Sequence, residues 1–194
     1  MNLRKGITLL IIFLLQNNVT IPSEKSKYPT EKYYPLGIGY SWKYKGKLLG
    51  QSVEKKITIE KKEGLFFIDN TGAMLMHDEE GLRDNKRYLI KNPIKKGNKW
   101  ISIISPQSTE HYEIIQTDIK AKYRDEIIKN CIKIRSINKI DPTKDMVAEW
   151  IYAPNIGLLN FSTYILRNKK DWEQQGYFEL IEFSRPDESQ NSGK

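Results

Sequence analysis

Short segments in which apolar and polar residues alternate run along most of the chain, and they constrain its fold more than any other feature. The segment "SVEKKITIE" puts Val53, Ile57 and Ile59 on one face, together with Lys55, and charged residues on the other. The segment "CIKIRSI" repeats the alternation, with Ile132 and Ile134 against basic residues. A period of two is typical of a β-strand with one buried face.

About ten such segments follow one another, separated by residues that form turns. Breakers such as Gly64, Gly81 and Pro106 stand between them, and no alternation of strand and helix patterns appears. Parallel doubly wound folds, and the nucleotide sites that they carry, are therefore disfavoured. The sequence predicts an all-β fold with little helix: an antiparallel, strongly curled sheet of about ten strands, forming a half-barrel or an open barrel.

One segment, "KAKYRDEIIKN", admits two interpretations. It can form one or two helical turns, or it can be a β-hairpin with Arg124, Asp125 and Glu126 at its tip. Both interpretations stay open at this level.

The N-terminus has the pattern of a secretory signal. Arg4 and Lys5 precede the apolar run Ile7–Leu15, and the chain then turns polar. The apolar run is shorter than the ~20 residues that span a bilayer. We therefore expect an exported protein, periplasmic, associated with the outer envelope or secreted, with no transmembrane span in the mature chain. A retained N-terminal anchor and a cytosolic chain are the alternatives.

The predicted domain organisation follows from composition. With 194 residues, of which 39% are hydrophobic, the chain can bury one core. We assign 1–23 to a signal peptide, 24–34 to a polar linker, 35–185 to a single β domain and 186–194 to a disordered C-terminal tail.

The charge of the chain does not predict nucleic-acid binding. Of 32 basic residues, Arg4 and Lys5 lie in the predicted signal, which leaves 30 against 24 acids and a net charge of +6. These charges are interleaved, as on the solvated face of a sheet, rather than gathered in a basic stripe. A diffuse attraction to an acidic membrane surface or to an envelope protein remains compatible with them.

No residue pattern argues for catalysis, a cofactor or a metal. Cys131 is the only cysteine, and in a strand pattern it is expected to be a small buried thiol. His77 and His111 stand in no recognisable motif, and the consecutive residues of "HDEE", 77–80, would point to different sides of a strand. We therefore assign no catalytic residue, no metal ligand and no cofactor.

A spacing of proline, glycine and tryptophan occurs twice. Pro35, Gly39 and Trp42 in "PLGIGYSW" match "PIKKGNKW", in which the same types stand at Pro93, Gly97 and Trp100. Proline cannot donate to a ladder, glycine permits a positive φ, and tryptophan then supplies a large core side chain. The repeat indicates a duplicated half-sheet, one local structure formed twice, or coincidence.

The stretch "EWIYAPNIGLLNFSTY" reads as strand, turn and strand. Trp150 and Tyr152 belong to the first strand, whereas Pro154, Asn155 and Gly157 are turn residues. Because asparagine tolerates the left-handed region, we expect a positive φ at Asn155.

These landmarks resemble a group of bacterial exported proteins and lipoproteins. The pattern of that group is a "PLxxGxxW" start, an "NClxV" strand and a "WYAPGVGLVK" segment. Here "PLGIGYSW", "NCIKI", "IYAPNIGLLNFSTY" and a closing "YFELIEF" occur in that order, but Ile151 replaces Trp, Asn155 replaces Gly, and the lipoprotein cysteine is missing. The resemblance implies a curled antiparallel sheet in the cell envelope and gives no catalytic residue to carry over.

The functional prediction rests on the aromatic content. The 4 Trp and 11 Tyr fill a core, or they line a concave face that holds a lipid-like or peptide ligand. We predict an exported envelope protein that acts by binding or structural association, with no residue yet assigned to a ligand. The alternative is a hydrolase acting on envelope polymers.

Overall fold

Twelve antiparallel strands form one sheet in the computed structural model, which describes residues 27–106 and 108–186. A short 3-10 helix, Pro29–Lys32, precedes them, and the described residues contain no α-helix. The strands are β1 (Ser41–Leu48), β2 (Gln51–Glu63), β3 (Phe66–Asp69), β4 (Met74–His77), β5 (Gly81–Arg83), β6 (Tyr88–Lys91), β7 (Lys99–Ser105), β8 (Ser108–Tyr123), β9 (Glu126–Asp141), β10 (Lys144–Ala153), β11 (Gly157–Arg167) and β12 (Asp171–Ser184).

This architecture confirms the predicted all-β, antiparallel, curled sheet. The order of strands is β6-β5-β4-β3-β2-β1-β12-β11-β10-β9-β8-β7. The first strand, β1, pairs with both β2 and the last strand, β12. The strands outnumber the predicted ten because β3 to β6 are only three or four residues long, too short for alternation to separate them.

The sheet curls until its two end strands, β6 and β7, nearly meet. They are joined by side chains rather than by a ladder: the Trp100 indole N–H donates to the Tyr88 carbonyl at 2.9 Å, and the Asn98 amide donates to the Lys91 carbonyl at 2.9 Å. The result is a nearly closed barrel with one seam.

The segment with two interpretations is a hairpin. Strand β8 ends at Tyr123 and β9 begins at Glu126. The tip folds against β12, where the Phe183 N–H donates to the Tyr123 hydroxyl at 2.8 Å and the Arg124 guanidinium donates to the Ile181 carbonyl at 3.3 Å.

The core reaches further toward the N-terminus than the sequence predicted. Thr30 is fully buried, and Tyr33 and Tyr34 are buried with it, although all three lie in the predicted polar linker 24–34. Two adjacent tyrosines bury a large apolar area when they pack, so this segment belongs to the domain. The predicted signal, 1–23, and residues 187–194 of the predicted tail lie outside the described residues.

The repeated proline, glycine and tryptophan spacing builds the same structure twice at its glycine, whereas the peptide bond before the proline is cis only at Pro93. Gly39 (φ 83°) donates to the Ile59 carbonyl and Gly97 (φ 85°) to the Ile114 carbonyl, each at 2.8 Å. Pro35 and Pro93 precede these glycines in irregular segments.

Each copy of the spacing also ends in an anchoring tryptophan. Trp42 and Trp100 are both buried, and each indole donates to a backbone carbonyl, of Ile156 at 2.6 Å and of Tyr88 at 2.9 Å. The two copies begin β1 and β7, the first strands of two hairpins.

Candidate functional site

A cleft of about 400 Å³ opens on the concave face of the sheet. Three rings of its wall belong to a longer row that we call the aromatic row, whose five rings come from five of the six strands β7 to β12: Trp100, Tyr112, Trp150, Phe161 and Phe178. Successive ring centroids lie 5.2, 5.8, 5.5 and 6.4 Å apart.

Strand register explains why these rings share a face. Trp100 lies directly opposite Tyr112, and Phe161 lies opposite both Trp150 and Phe178. Residues opposite one another in an antiparallel pair point to the same side of the sheet. Trp150, Phe161 and Phe178 are half-buried and line the cleft.

A second aromatic group borders the first. Tyr34 stacks on Trp42 with ring centroids 5.1 Å apart and meets Tyr152 edge-on at 6.3 Å. Trp42 also stacks on Phe183 at 5.5 Å. Tyr34 comes from the segment before β1, so that segment contributes directly to the lining of the cleft.

Two of the tyrosine hydroxyls at the cleft have no hydrogen-bond partner among the described residues. Tyr44 donates to the Leu158 carbonyl at 3.1 Å, but Tyr34 and Tyr152 make no such bond; their rings are buried, while their hydroxyl oxygens are reached by solvent. Burial raises the pKa of both phenols, and so does their proximity to other acidic groups. They therefore remain protonated and available as donors.

The charged groups at the cleft compensate one another. The guanidinium of Arg87 contacts a Glu110 carboxylate oxygen at 2.7 Å and an Asp84 carboxylate oxygen at 3.3 Å. The charged side chains in the cleft lining are two cations, Lys55 and Arg87, and two anions, Asp69 and Asp84. The formal charge of this lining is thus zero.

Both carboxylates of the lining also hold backbone turns. Asp69 accepts from the N–H groups of Thr71 at 2.7 Å and Ala73 at 3.0 Å. Asp84 accepts from the N–H groups of Lys86 at 2.7 Å and Arg87 at 2.8 Å. Their acceptor capacity is committed to structure, as in Asx turns.

The residues considered for catalysis or metal binding lie elsewhere. His77 donates from Nε2 to the Tyr34 carbonyl and accepts at Nδ1 from the Thr30 hydroxyl, both at 2.8 Å, and burial lowers its pKa. Cys131 is fully buried, which raises the pKa of its thiol. In the part of the chain that the structure describes, no cluster of His, Cys, Asp or Glu could hold a metal ion.

Glu149 is held in an ion-pair cluster on the face opposite the aromatic row. Its carboxylate contacts Lys133 and Arg135, each at 2.6 Å. Burial alone would raise the pKa of Glu149, but the hydrogen bonds and charges of these two partners outweigh it and lower the pKa.

The strand, turn and strand stretch has the predicted course. Trp150 and Tyr152 lie in β10, Pro154 and Asn155 lie in the turn, and Gly157 begins β11. Asn155 has φ 61° and Gly157 has φ 112°.

Sequence reasoning missed the groups brought to the cleft from distant strands. Arg87 and Asp84 stand in a segment with no motif. The sequence does not distinguish Phe161 and Phe178 from other aromatic residues of a strand. The one signal for the cleft in the sequence is the alternation that places Lys55 on the apolar face of β2. In the structure, Lys55 lines the cleft.

No family model and no curated protein matches the chain. In the described residues, no helix is both long and apolar enough to span a membrane. A protein of Bacteroides fragilis classed as exported, with a YmcC-like fold, is similar over 79% of this chain and 99% of its own, at 14% identity and a TM-score of 0.45. A protein of Parabacteroides distasonis classed as a lipoprotein is similar over 78% of this chain and 98% of its own, at 13% identity and a TM-score of 0.42.

Proposed function

We propose that this is an exported protein of the bacterial envelope that binds an uncharged lipid-like ligand in the concave cleft. The proposal of export is supported by the N-terminal sequence, where two basic residues precede the apolar run Ile7–Leu15. The observation that carries the ligand proposal is the combination, in one cleft, of the aromatic row and the hydroxyls of Tyr34 and Tyr152, which have no hydrogen-bond partner among the described residues and are open to solvent.

The aromatic row supports an apolar ligand. Trp150, Phe161 and Phe178 are packed side by side yet half-buried, so an acyl chain lying across them would remove more apolar surface from water. Each Å² of apolar surface removed contributes about 25 cal/mol. A concave cleft with apolar walls and a few convergent polar groups is the usual form of a small-molecule site.

The polar groups support a ligand with an uncharged head. The protonated phenols of Tyr34 and Tyr152 offer donors to an ester, carbonyl or hydroxyl oxygen. Arg87 is already paired with Glu110, and the charges of the lining cancel. A free carboxylate would therefore find no unpaired cation at Arg87 and only Lys55 as an unpaired cation in a lining of zero formal charge, whereas a glycerol ester needs no cation.

The first experiment identifies what the protein carries. Protein purified from its native envelope is extracted and analysed by mass spectrometry, and its binding of monopalmitoylglycerol and palmitate is compared by calorimetry. We expect acyl glycerides in the extract and tighter binding of the ester. Preference for palmitate would refute the uncharged head, a recovered peptide would replace the lipid as ligand, and release of palmitate from the ester would assign a hydrolase instead.

The second experiment locates the site with single-atom changes. Tyr152→Phe removes the hydroxyl and keeps the ring. We expect it to weaken ester binding about 5- to 10-fold, which corresponds to the free energy of one hydrogen bond. Tyr177→Phe is the matched control, because Tyr177 lies next to Phe178 on β12 and points to the opposite face. Equal affinities of the two variants would rule out the Tyr152 contact.

A further inference from the structure

The seam between β6 and β7 forms a second cleft, of about 350 Å³, whose lining shares only Arg87 with the first cleft. It is lined on the β6 side by basic residues and on the β7 side by Ile101, Ser102 and Ile103. Because these two strands end the order of the sheet, each has one edge without a ladder partner.

The backbone of β7 offers free groups to this cleft. The N–H of Ile114 in β8 donates to the Asn98 carbonyl at 2.9 Å. This bond determines which residues of β7 point their backbone groups toward β8. Hydrogen-bonded and non-bonded pairs alternate in antiparallel strands, so Trp100 and Ser102 bond to β8. The N–H and C=O groups of Ile101 and Ile103 therefore face the seam.

The seam is bridged at the end beside the loop that joins β6 to β7, and once more where Arg87, just before β6, reaches Glu110 of β8, which lies opposite Ser102. The bonds from Asn98 to Lys91 and from Trp100 to Tyr88 both lie beside the loop that joins β6 to β7. Beyond Trp100, the described residues place no hydrogen bond between β7 and β6. A strand added there would pair with Ile101 and Ile103 and would leave the two hydrogen bonds beside the loop intact.

The seam is strongly basic. Its lining contains Arg83, Lys86, Arg87 and Lys91, and no acidic side chain of the described residues lines it. Arg87 is paired with Glu110, and Lys91 is paired with a glutamate of the β4–β5 turn at 2.9 Å. Arg83 and Lys86 form no ion pair with a described residue, which leaves two uncompensated cations beside the free edge.

The exposed face of the same strand is apolar. Ile101 is 61% exposed and Ile103 is 74% exposed. Edge strands are usually protected by charged or proline residues on the strand itself; β7 has one such residue, Lys99, at its start, and isoleucines at the next two positions of the same face. Pairing of two copies through this edge is disfavoured because it would bring the two sets of cations together.

We propose that the free edge of β7 binds an extended acidic segment of a partner protein by strand addition. The backbone of the segment pairs with Ile101 and Ile103, its apolar side chains cover these two isoleucines, and its carboxylates meet Arg83 and Lys86. Strand addition takes its affinity from main-chain hydrogen bonds and its specificity from alternate side chains.

The test uses short fluorescent peptides and anisotropy. A peptide of alternating valine and glutamate is the probe, one of alternating valine and lysine is the charge control, and a valine–glutamate peptide N-methylated at alternate residues is the backbone control. We expect only the unmethylated acidic peptide to bind, more weakly at an ionic strength of about 0.15 M than at about 0.01 M. Equal binding of the N-methylated peptide would overturn strand addition, and binding of the lysine peptide would overturn the charge assignment.

Protein variants locate the site. We expect Arg83→Glu with Lys86→Glu to weaken binding at least about tenfold, because two attractions become repulsions. Lys122→Glu with Lys129→Glu, at the exposed tip of the β8–β9 hairpin, makes the same change of net charge and should leave binding unchanged. Equal losses in both pairs, or no binding by the unaltered protein, would refute the proposal.

Discussion

Replacing Gly157 with alanine should destabilise the protein by about 2–4 kcal/mol. Gly157 has φ 112°, a conformation that residues with a side chain rarely adopt, and forcing it costs about 1–3 kcal/mol. The added Cβ would lie 2.9 Å from Nε1 of Trp42, a fully buried indole. Displacing that indole strains its hydrogen bond to the Ile156 carbonyl, which is worth about 1 kcal/mol.

Equilibrium unfolding in urea, followed by tryptophan fluorescence, measures this change. Asn155→Gly is the matched control in the same turn, because its φ of 61° suits glycine equally well. We expect that variant to remain within about 0.5 kcal/mol of the unaltered protein. If Gly157→Ala had an unchanged unfolding midpoint and slope, the contact with Trp42 would not constrain the turn and the reasoning would be wrong.

Three further predictions concern stability. Glu149→Gln should lower the free energy of unfolding by about 1–2 kcal/mol at pH 7. Because folding lowers the pKa of Glu149, this loss should shrink as the pH falls below about 4. Urea unfolding midpoints of both proteins, measured at pH 7 and below about pH 4, check this. Folding also lowers the pKa of His77, so the unfolded chain binds the proton more tightly and stability should fall as the pH drops from about 7 to 5. His77→Gln should flatten that slope, and an unchanged slope would assign it to other groups. Trp42→Phe and Trp100→Phe should each lower the free energy of unfolding by about 1–2 kcal/mol, since each variant loses an indole hydrogen bond. If thermal unfolding showed a loss of stability in only one variant, the two tryptophans would not have equivalent roles.

The fold class could be predicted because alternation is a local property. Lys55 lies between Val53 and Ile57 on one strand face, and the structure places it at the concave cleft. The short strands β3 to β6 could not be resolved, because three or four residues do not define a period. The prolines and charges around Tyr33 and Tyr34 predict a polar linker, because local composition outweighs two aromatic residues, although tertiary packing buries both.

The sequence by itself determined which residues share a strand face, where the turns fall and which glycine positions recur before a buried tryptophan. Only the tertiary structure decided that rings from five strands form one row, that Arg87 and Tyr152 border the same cleft, and that β6 and β7 meet without pairing. The physical reason is range. Strand propensity and turn geometry act over a few residues, whereas the curl of the sheet and the register across its strands depend on contacts between residues far apart in the chain.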